Sequence, residues 1–509
     1  MKNKKIWTIL SIIIWVLQIA AEVVTAVLVM RLNVLPGKYA LLLAVIFVLL
    51  AGLTGGLMFL RGKEAVSIVR RIISWVLAIG IIVGCGFVAK VAWDTYRTLH
   101  TVTTTPEETD INNMYVVVRE EDPAKTIADT GDYRYGIIAE YDEERIQELI
   151  AQIQEQTGKT LSVTSYEMTA ALADALLNQQ VDAVIVNGAA IAVLSEEEAY
   201  EDILDKVRFL YSVPLSQLDS PEPSTEPTVP SVEEDRTVTN SPFVVYISGS
   251  DTRNKKLKIS RSDVNILVIV NPVSKQILLL NTPRDYYVPN PKGKGKRDKL
   301  THCGLYGPEC SMEALGDLYG LQVDYYAQIN FDGFETLVDA VGGVTINADH
   351  AFKTTNGTYI AKGENHLNGE EALQFARERY NVKGGDNGRG KNQMKVISAI
   401  IQKMTSGTTI ISKYSSILKS LEGMFKTSVS MDDISLLVKM QLDDMASWNV
   451  QSYAVTGTGG RAASYSSPGH KAYVMYPDKD VVAHASELAQ KVLNGETLTE
   501  EDMVPPGTK

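Results

Sequence analysis

Apolar positions cluster at the start of the chain in three long runs, each long enough to form a helix that crosses a bilayer. The runs cover residues 7–30, 39–60 and 72–93, and about 20 helical residues span a bilayer core. The first run lacks the small-residue cleavage site of a signal peptide and is followed by two more, so we expect it to be retained. Residues 1–98 are therefore predicted to form three membrane helices.

Positive charges around these runs predict their orientation. Lysines precede the first run and basic residues fill the loop between the second and third, whereas the first loop carries only Arg31 and Lys38. Because positive charge favours the cytoplasmic side, we expect the N-terminus inside the cell. Three spans then place the rest of the chain outside, which excludes cytosolic chemistry that uses ATP.

The next stretch alternates short apolar runs with amphipathic segments. Residues 145–156 have charges on one face and apolar side chains at helical spacing on the other: Ile146, Leu149, Ile150 and Ile153. This pattern suits a helix packed on a sheet. We predict a small extracellular α/β accessory domain at residues 99–215. Its carboxylates are typical of solvated helix faces, which indicates a structural or partner-contacting role.

A stretch rich in Pro, Ser, Thr and acidic residues at 216–241 predicts an extended or disordered linker. Helical patterns come after three strand-like runs, which are 242–248, 264–270 and 276–281. Nearly continuous β-branched runs alternating with helices indicate a sheet with both faces covered. We predict an α/β fold with a central mixed sheet covered by helices on both faces at residues 242–491, followed by a polar tail at 492–509.

Composition narrows the function. The net charge of -12 argues against a nucleic-acid partner, because affinity for DNA comes largely from cations that neutralise phosphates.

Cys85 lies within the third apolar run and is expected to behave as a small hydrophobe. Cys303 and Cys310 lie in the part predicted outside the cell, where a disulfide persists. Their spacing is equally compatible with a disulfide and with two free thiols.

Two aspartates lie near predicted strand ends. Asp251 follows the first strand, and Asp263 immediately precedes the second. Sheets in α/β proteins collect ligands at strand ends, and Mg²⁺ takes one or two carboxylates together with water and phosphate oxygens. The two residues are candidates for a site for Mg²⁺ (or Mn²⁺). Capping of a turn is the alternative for each aspartate alone.

Basic side chains gather at other element ends. Arg284 follows the third strand, and Arg377 and Arg379 end a predicted helix, where they share a face if the chain leaves the helix extended. Arg389 and Gln393 lie one turn apart at the start of the next helix, where anions are favoured.

Such a set of cations requires an anionic ligand. Converging arginines repel one another, and an unpaired buried charge is destabilising. Guanidinium forks match phosphate oxygens, so the arginines and carboxylates together predict a pyrophosphate with bound Mg²⁺. The basic loop, residues 291–299, adds cations that we expect to be mostly solvated, with Lys299 as the best candidate for substrate contact.

Seven motifs occur in the second half of the chain: GSDTR, RSDVNILVIV, LLNTPRD, KLTHCGLYG, DYYAQINFDGFETLVDAVGGV, LNGEEALQFARERY and DNGRGKNQ. In this order they resemble the LytR-CpsA-Psr family over residues 241–491, particularly its capsule-locus members with three spans and an accessory domain. The resemblance implies a phosphotransferase that moves a glycopolymer phosphate from a polyprenyl (undecaprenyl) pyrophosphate carrier onto peptidoglycan. The prenyl tail would lie in a hydrophobic pocket, and pyrophosphatase activity would be a side reaction.

The resemblance also implies roles for individual residues. Asp251 and Asp263 correspond to the metal-binding carboxylates, one of which would act as general base, and with Arg284 they would form the catalytic set. The pyrophosphate-binding residues correspond to Arg284, Arg377, Arg379, Arg389 and Gln393. Many relatives have an arginine before the motif glutamine, where this chain has Asn392 beside Lys391. Residues 396–404 and 434–440 are apolar and either line the prenyl pocket or form ordinary core, and we expect core at most positions.

The glycopolymer implied is capsular polysaccharide, with a teichoic acid as the alternative. Further partners are the peptidoglycan acceptor, the lipid bilayer and the capsule assembly and export proteins. The resemblance places the protein in the plasma membrane of a Gram-positive bacterium, with its catalytic domain outside. Non-catalytic alternatives are a polyprenyl-lipid carrier, an export scaffold or a regulator of capsule assembly. A signalling role is disfavoured because the cytosolic segments are too short to hold a DNA-binding domain.

Overall fold

The computed structural model describes residues 2–60, 64–103, 110–138, 141–219, 236–250, 260–406 and 409–507. Its N-terminal part consists of three long helices: α1 (Lys2–Arg31), α2 (Gly37–Phe59) and α3 (Glu64–Val102). All three are long and apolar enough to cross a membrane. The prediction of three apolar N-terminal helices is confirmed.

These helices turn polar groups inward and apolar ones outward. The hydroxyl of Thr25 donates to the carbonyl of Cys85 at 3.0 Å, and the hydroxyl of Ser74 donates to that of Thr54 at 2.8 Å. Phe87, by contrast, is 70% exposed. This arrangement is the reverse of a globular helix bundle and suits contact with lipid hydrocarbon.

The accessory domain is a five-stranded sheet with helices packed on it. Its elements are β1 (Asn113–Arg119), β2 (Arg134–Ile138), α4 (Glu143–Thr157), β3 (Ser162–Tyr166), α5 (Thr169–Leu177), β4 (Ala183–Asn187), α6 (Gly188–Leu194), α7 (Ile203–Lys206), β5 (Val207–Pro214) and α8 (Leu215–Leu218). The strand order is β3-β2-β4-β1-β5, with β2 parallel to β3 and β4, and β1 antiparallel to β4 and β5. The four apolar residues of α4 that were picked out by their helical spacing are buried against this sheet.

The accessory domain extends beyond residue 215. Leu215 and Leu218 of α8 are buried, and the carboxylate of Asp219 pairs with Arg145 of α4 at 2.7 Å. The segment predicted as a linker, residues 216–241, therefore begins inside this domain, because Leu218 fills the core and Asp219 pairs with α4. Residues 220–235, the middle of that segment, lie outside the described residues.

The C-terminal domain is built on a six-stranded mixed sheet in the order β16-β11-β6-β7-β8-β17. The strands of this sheet are β6 (Phe243–Ser250), β7 (Val264–Asn271), β8 (Gln276–Asn281), β11 (Tyr325–Asn330), β16 (Phe425–Thr427) and β17 (Asn449–Ala454). The β6·β11 and β8·β17 pairs are parallel, and the other three are antiparallel. The carboxyl ends of β6, β8, β11 and β17 therefore meet at one edge of the sheet, where β7 begins.

Helices cover both faces of this sheet, as predicted. Its helices are α9 (Leu300–Cys303), α10 (Pro308–Tyr319), α11 (Phe331–Val341), α12 (Gly369–Arg377), α13 (Asp386–Thr405), α14 (Thr409–Ser420), α15 (Met431–Asp444) and α16 (Lys479–Leu493). Alternate residues of β7 serve opposite faces: Leu267 and Ile269 pack in the same core as α10 and α16, whereas Ile266 and Val268 pack with α13. This alternation explains the continuous apolar run of the strand.

Short antiparallel strand pairs complete the domain. They are β9 (Tyr287–Pro289) with β10 (Arg297–Lys299), β12 (Val344–Ala348) with β15 (Gly363–Leu367), β13 (Phe352–Lys353) with β14 (Tyr359–Ile360), and β18 (Gly457–Ser464) with β19 (Ser467–Pro477). The β9–β10 hairpin carries the basic loop.

The C-terminal segment packs against the sheet. Leu498 is buried, and its backbone N–H donates to the side chain of Gln276 at 3.0 Å. Lys491 pairs with Asp502 at 2.6 Å. The polar tail predicted at 492–509 is therefore part of the domain at least to Asp502, because a buried leucine and an ion pair hold it there.

Candidate functional site

Arg284 and Asp263 form an ion pair at the edge where the strands of the C-terminal domain end. Asp263 precedes β7 and Arg284 follows β8, and the guanidinium donates to the carboxylate at 2.6 Å. Burial lowers the pKa of Arg284, but Asp263 and Asp285 outweigh that effect and leave the pKa above its ordinary value. The Nε–H of Arg284 is buried and has no hydrogen-bond partner among the described residues. An anion at this edge would satisfy it.

Lys299 lies beside this pair. Its ammonium group binds Asp285 at 3.1 Å, and its backbone N–H donates to the carboxylate of Asp298 at 2.8 Å. The backbone N–H of Thr301 donates to the carbonyl of Arg284 at 2.9 Å. The end of the basic loop is thus tied to the segment that carries Arg284.

The start of α13 brings Arg389 to the same place. Its guanidinium pairs with Asp386, one turn earlier, at 2.6 Å. Burial lowers the pKa of Arg389 most, and the neighbouring cations Arg284 and Arg379 lower it further, so that they outweigh the ion pair. Arg389 is therefore close enough to Arg284 and to Arg379 to be repelled by each, and an anion bound beside Arg389 would relieve this repulsion.

Gly390 has no side chain, which allows the first turn of α13 to pack closely against the end of β8. A Cβ atom on Gly390 would lie 2.3 Å from Nδ2 of Asn281 at the end of β8. A larger residue would push the first turn of α13 away from the sheet and take Arg389 with it.

Arg377 and Arg379 leave α12 on the same side. Glu378 between them is extended, with φ -63° and ψ 125°, and both arginines line one polar cavity. The guanidinium of Arg377 also stacks on the ring of Phe331 with 4.3 Å between its Cζ atom and the ring centroid. Arg379 is the one whose charge reaches Arg389.

An apolar cavity of about 300 Å³ opens next to these arginines. It lies between the sheet and helices α11, α12 and α13, and its walls include Val245, Ile329, Phe334, Ile397, Ile400 and Ile401. Arg377 and Gln393 contribute polar groups to the lining. The structure therefore places an apolar chamber and a cluster of cations side by side, which is what an amphiphile with an anionic head group requires.

Residues 396–404 and 434–440 have different environments. Three isoleucines of the first segment, Ile397, Ile400 and Ile401, line the apolar cavity, whereas its other positions do not, and Val396 is buried in the core. The sequence could not separate these alternatives, because a helix face that lines a chamber has the same apolar spacing as one that fills a core. None of the second segment lines this cavity, and Ile434 packs towards the membrane helices instead.

The metal prediction rests on one described residue. Asp263 is paired with Arg284 at the sheet edge, whereas Asp251 lies outside the described residues. Within the described ranges, no group of three or more His, Cys, Asp or Glu side chains has the arrangement of a metal site. Asp263 supplies the kind of hard oxygen ligand that Mg²⁺ takes once or twice per site, with phosphate oxygens completing its shell.

Cys303 and Cys310 are free thiols, which corrects the alternative of a disulfide. Both thiols are buried. The contact with Cys310 raises the pKa of the Cys303 thiol, and burial raises it further. The Cys310 thiol lies 3.6 Å from the side-chain oxygen of Asn290. The pair thus packs as small core residues under the β9–β10 hairpin.

A buried polar cluster was missed by the sequence reasoning. Asp298 is fully buried and accepts from the hydroxyl of Ser466 and the imidazole of His302, each at 2.6 Å. The neighbouring Tyr465 donates to Asp142 of the accessory domain at 2.7 Å. Apart from the four-residue spacing of Asp298 and His302, no local pattern could have revealed these contacts, because Ser466 and Tyr465 are far from Asp298 and Asp142 in the chain.

Comparison with known proteins assigns the family. The model of the LytR_cpsA_psr family matches residues 216–482, more than half of the chain. The chain belongs to the LytR_cpsA_psr family. Among curated relatives, the polyisoprenyl-teichoic acid–peptidoglycan teichoic acid transferase TagU of Enterococcus faecalis is 36% identical over 221 residues, which cover 43% of this chain and 71% of the relative.

Other members of the LytR_cpsA_psr family show similar coverage. The TagU protein of Bacillus mycoides, with the same description, is 32% identical over 233 residues, or 46% of this chain and 74% of the relative. The crystal structure of B. subtilis TagV is 27% identical, with a TM-score of 0.42, and the match covers 51% of this chain and 99% of that one.

Proposed function

We propose that this protein is a membrane-anchored phosphotransferase that moves a glycopolymer phosphate from a polyprenyl pyrophosphate onto peptidoglycan outside the cell. The observation that carries the proposal is the apolar cavity whose lining includes Arg377 and Gln393. Gln393 lies one helical turn after Arg389, which in turn is close to Arg284 and Arg379. Family membership supports the same reaction class, since the curated relatives are named as transferases of polyisoprenyl-linked teichoic acid.

The cationic residues bind and orient the pyrophosphate. Arg284 offers an Nε–H that forms no hydrogen bond within the described ranges, and guanidinium groups form paired hydrogen bonds to phosphate oxygens. Gln393 and Arg377 lie where the head group enters the apolar cavity, and Lys299 approaches from the basic loop. The prenyl tail fills the cavity, where each buried CH₂ contributes about 0.8 kcal/mol.

The transfer exchanges one phosphorus–oxygen bond for another. An acceptor hydroxyl attacks the phosphorus nearest the glycan, the bond from that phosphorus to the bridging oxygen breaks, and polyprenyl phosphate leaves with the bridging oxygen. The hydroxyl proton passes to the carboxylate of Asp263 or Asp251. Arg284 and Arg389 stabilise the charge that develops on the leaving phosphate, as fixed cations do in other phosphoryl transfers.

Asp263 and Asp251 would hold a Mg²⁺ (or Mn²⁺) ion. When bound, the ion would neutralise part of the pyrophosphate charge. The neighbouring guanidinium groups of Arg284 and Arg389 also neutralise part of the pyrophosphate charge.

Capsular polysaccharide is the glycopolymer in this proposal. Three membrane helices and an accessory domain precede the core of the C-terminal domain, and this arrangement resembles the capsule-locus members of the family. The names of the curated relatives favour a teichoic acid as the second candidate. Both polymers present the same pyrophosphate to the arginines.

Transfer by the purified full-length protein tests the proposal. A radiolabelled lipid-pyrophosphate glycan is incubated with peptidoglycan, with and without Mg²⁺, and the label in the wall fraction is counted. We expect metal-dependent transfer by the native protein and none by Arg284→Ala. The matched control is Arg297→Ala, an exposed arginine of the β9–β10 hairpin that binds the carbonyl of Tyr287. Tight lipid binding without turnover would instead indicate a carrier or regulator.

A further inference from the structure

A second cavity of about 200 Å³ lies against the arginines and is lined mainly by polar residues. It is formed by α11, the turn between β13 and β14, α12 and the segment after α12. It shares Leu373 and Arg377 with the apolar cavity, so one helix contributes to both. A ligand bound there would therefore lie next to the pyrophosphate of the proposed donor.

Hydrogen bonds hold the walls of this cavity in place. The side-chain oxygen of Gln374 accepts from the hydroxyls of Thr354 at 3.0 Å and Thr358 at 2.6 Å, which fixes the turn against α12. Glu378 is 3% exposed and accepts from the backbone N–H groups of Arg379 and Tyr380 at 3.0 and 2.9 Å. The cavity is thus a preformed site, and its inner polar groups are already satisfied.

Other polar groups of the same cavity are available to a ligand. Tyr380 is 77% exposed, although it lies directly after a buried glutamate. Asn356 and Glu370 are also exposed, and one carboxylate oxygen of Glu370 accepts from the side-chain amide of Gln374 at 3.1 Å. The guanidinium of Arg379 lies over one face of the Tyr380 ring, 5.1 Å from its centroid. The opposite face, beside an amide and a carboxylate, suits a sugar ring, whose C–H face packs on the aromatic ring while its hydroxyls bond to the polar groups.

The charge of the cavity lining favours one of the two glycans of the proposed reaction, the donor glycopolymer or the peptidoglycan acceptor, over the other. Glu335, Glu370 and Glu378 line the cavity against two arginines, Arg377 and Arg379. An anionic glycopolymer would meet these carboxylates, whereas the sugar backbone of peptidoglycan presents neutral hydroxyl and acetamido groups. The cavity therefore favours the acceptor strand over the donor polymer.

We propose that this cavity binds a sugar ring of the acceptor glycan and holds its hydroxyl beside the pyrophosphate. The proposal rests on the proposed function, because only a transfer reaction requires an acceptor. It adds Tyr380, Glu370 and Asn356 as acceptor-binding residues.

Binding of two separate probes tests this site on the full-length protein in detergent. The acceptor probe is a soluble, uncharged tetrasaccharide of N-acetylglucosamine, which presents hydroxyl and acetamido groups without the lactyl carboxylate of free N-acetylmuramic acid, and the donor probe is farnesyl pyrophosphate. We expect Tyr380→Ala and Glu370→Gln to weaken tetrasaccharide binding in calorimetry by about tenfold, the usual effect of removing a central contact. Farnesyl pyrophosphate should bind these variants as it binds the native protein. The control is Tyr473→Ala, which removes an exposed tyrosine of β19 outside the cavity.

The other possible outcomes contradict either the acceptor site or the proposed function, and they can be told apart. Unchanged tetrasaccharide binding in both variants, or no binding by the native protein, rejects the acceptor site and leaves the proposed function standing. Failure of the native protein to bind farnesyl pyrophosphate contradicts the proposed function instead. A lipid-free donor glycan phosphate that loses affinity in Tyr380→Ala, while the tetrasaccharide does not, would assign the cavity to the donor.

Discussion

At the scale of single residues, Arg284 shows how geometry adds to charge. Its guanidinium donates to Asp263 through one nitrogen, and its buried Nε–H forms no hydrogen bond with the residues that the structure describes. Lysine carries the same charge but has no planar fork, so it cannot bind a carboxylate and a phosphate at fixed angles.

Arg284→Lys is therefore expected to lower the rate of transfer by about 10²-fold, in the range found when one fixed donor to a developing negative charge is lost. Initial rates of label transfer at saturating Mg²⁺ measure this effect. The folding of the variant is checked by its thermal unfolding, which should match the native curve. A native rate in Arg284→Lys would mean that charge alone is sufficient.

The buried carboxylate of Asp298 makes a different kind of contribution. Burial raises the pKa of Asp298, but His302, Ser466 and the backbone N–H of Lys299 outweigh burial and leave the pKa below its ordinary value. A carboxyl group with a lowered pKa stabilises the folded state above its unfolded pKa of about 4 and loses that contribution as pH falls through the folded pKa.

Asp298→Asn should consequently destabilise the protein by about 2 kcal/mol at pH 7, since charged hydrogen bonds are lost. The difference from the native protein should shrink as the pH is lowered below about 4. Urea unfolding followed by tryptophan fluorescence at several pH values measures both effects. A difference that stays constant down to pH 3 would contradict this explanation.

At the scale of elements, the strands were easier to predict than the site. The apolar runs at 264–270 and 276–281 agree with β7 and β8 to within a residue, because a strand buried on both faces has a strong local signal. The β18–β19 hairpin was not predicted, since it has few large apolar residues and is held by contacts with distant segments.

The site was predictable where side chains follow strand ends. Arg284 and Asp263 were expected near one another from their positions at the sheet edge, and the structure pairs them at 2.6 Å. The polar cavity was not predictable, because Asn356 and Tyr380 come from separate segments with no shared periodicity. Their proximity depends on the tertiary contacts of Gln374 and Glu378.

The contact between α13 and β8 gives a prediction at this scale. Alanine favours a helix over glycine by about 1 kcal/mol, yet a Cβ on Gly390 would overlap the side chain of Asn281. We expect Gly390→Ala to weaken farnesyl pyrophosphate binding, because the first turn of α13 and Arg389 move outward.

The double variant Gly390→Ala with Asn281→Ala serves as the test of this cause. It removes the side chain that the new methyl group meets, so calorimetry should show farnesyl pyrophosphate affinity recovering towards that of Asn281→Ala alone. No recovery would show that Gly390 acts through something other than this contact.

At the scale of the whole molecule, the C-terminal domain contacts both of its neighbours. On the membrane side, Leu418 of α14 packs with Leu32 and Leu99 of the membrane helices, and Lys38 pairs with Asp443 at 2.9 Å. Helix α14 also contacts α11 and α13, which line the apolar cavity. Helix α14 therefore connects the three N-terminal helices to the helices that line the cavity.

On the other side, the accessory domain holds the basic loop through Arg145. This guanidinium donates to Asp219 at 2.7 Å, to Asp142 at 2.9 Å and to the carbonyl of Lys292 at 2.6 Å. Tyr465 donates to the same Asp142, and a Cβ on Gly293 would lie 2.9 Å from the Tyr465 ring. The loop that ends at Lys299 is thus packed on the accessory domain.

Arg145→Met tests whether this contact between domains stabilises the protein. The Arg145 side chain is 4% exposed and that of Asp142 is 9% exposed, so the substitution leaves a buried carboxylate without its cation. Loss of one partner from a buried pair typically costs about 3–5 kcal/mol. We expect a large fall in the urea midpoint, together with slower transfer because Lys299 loses its support.

Arg134→Met is the matched control on the same domain. Arg134 pairs with Asp182 at 2.8 Å, but its side chain is 51% exposed, and water screens such pairs so that they contribute little to stability. The two substitutions remove the same group, so a difference in their effects measures burial at the domain contact. Equal urea midpoints for the two variants would mean that the accessory domain stands apart from the basic loop in solution, and transfer by Arg145→Met should then proceed at the native rate.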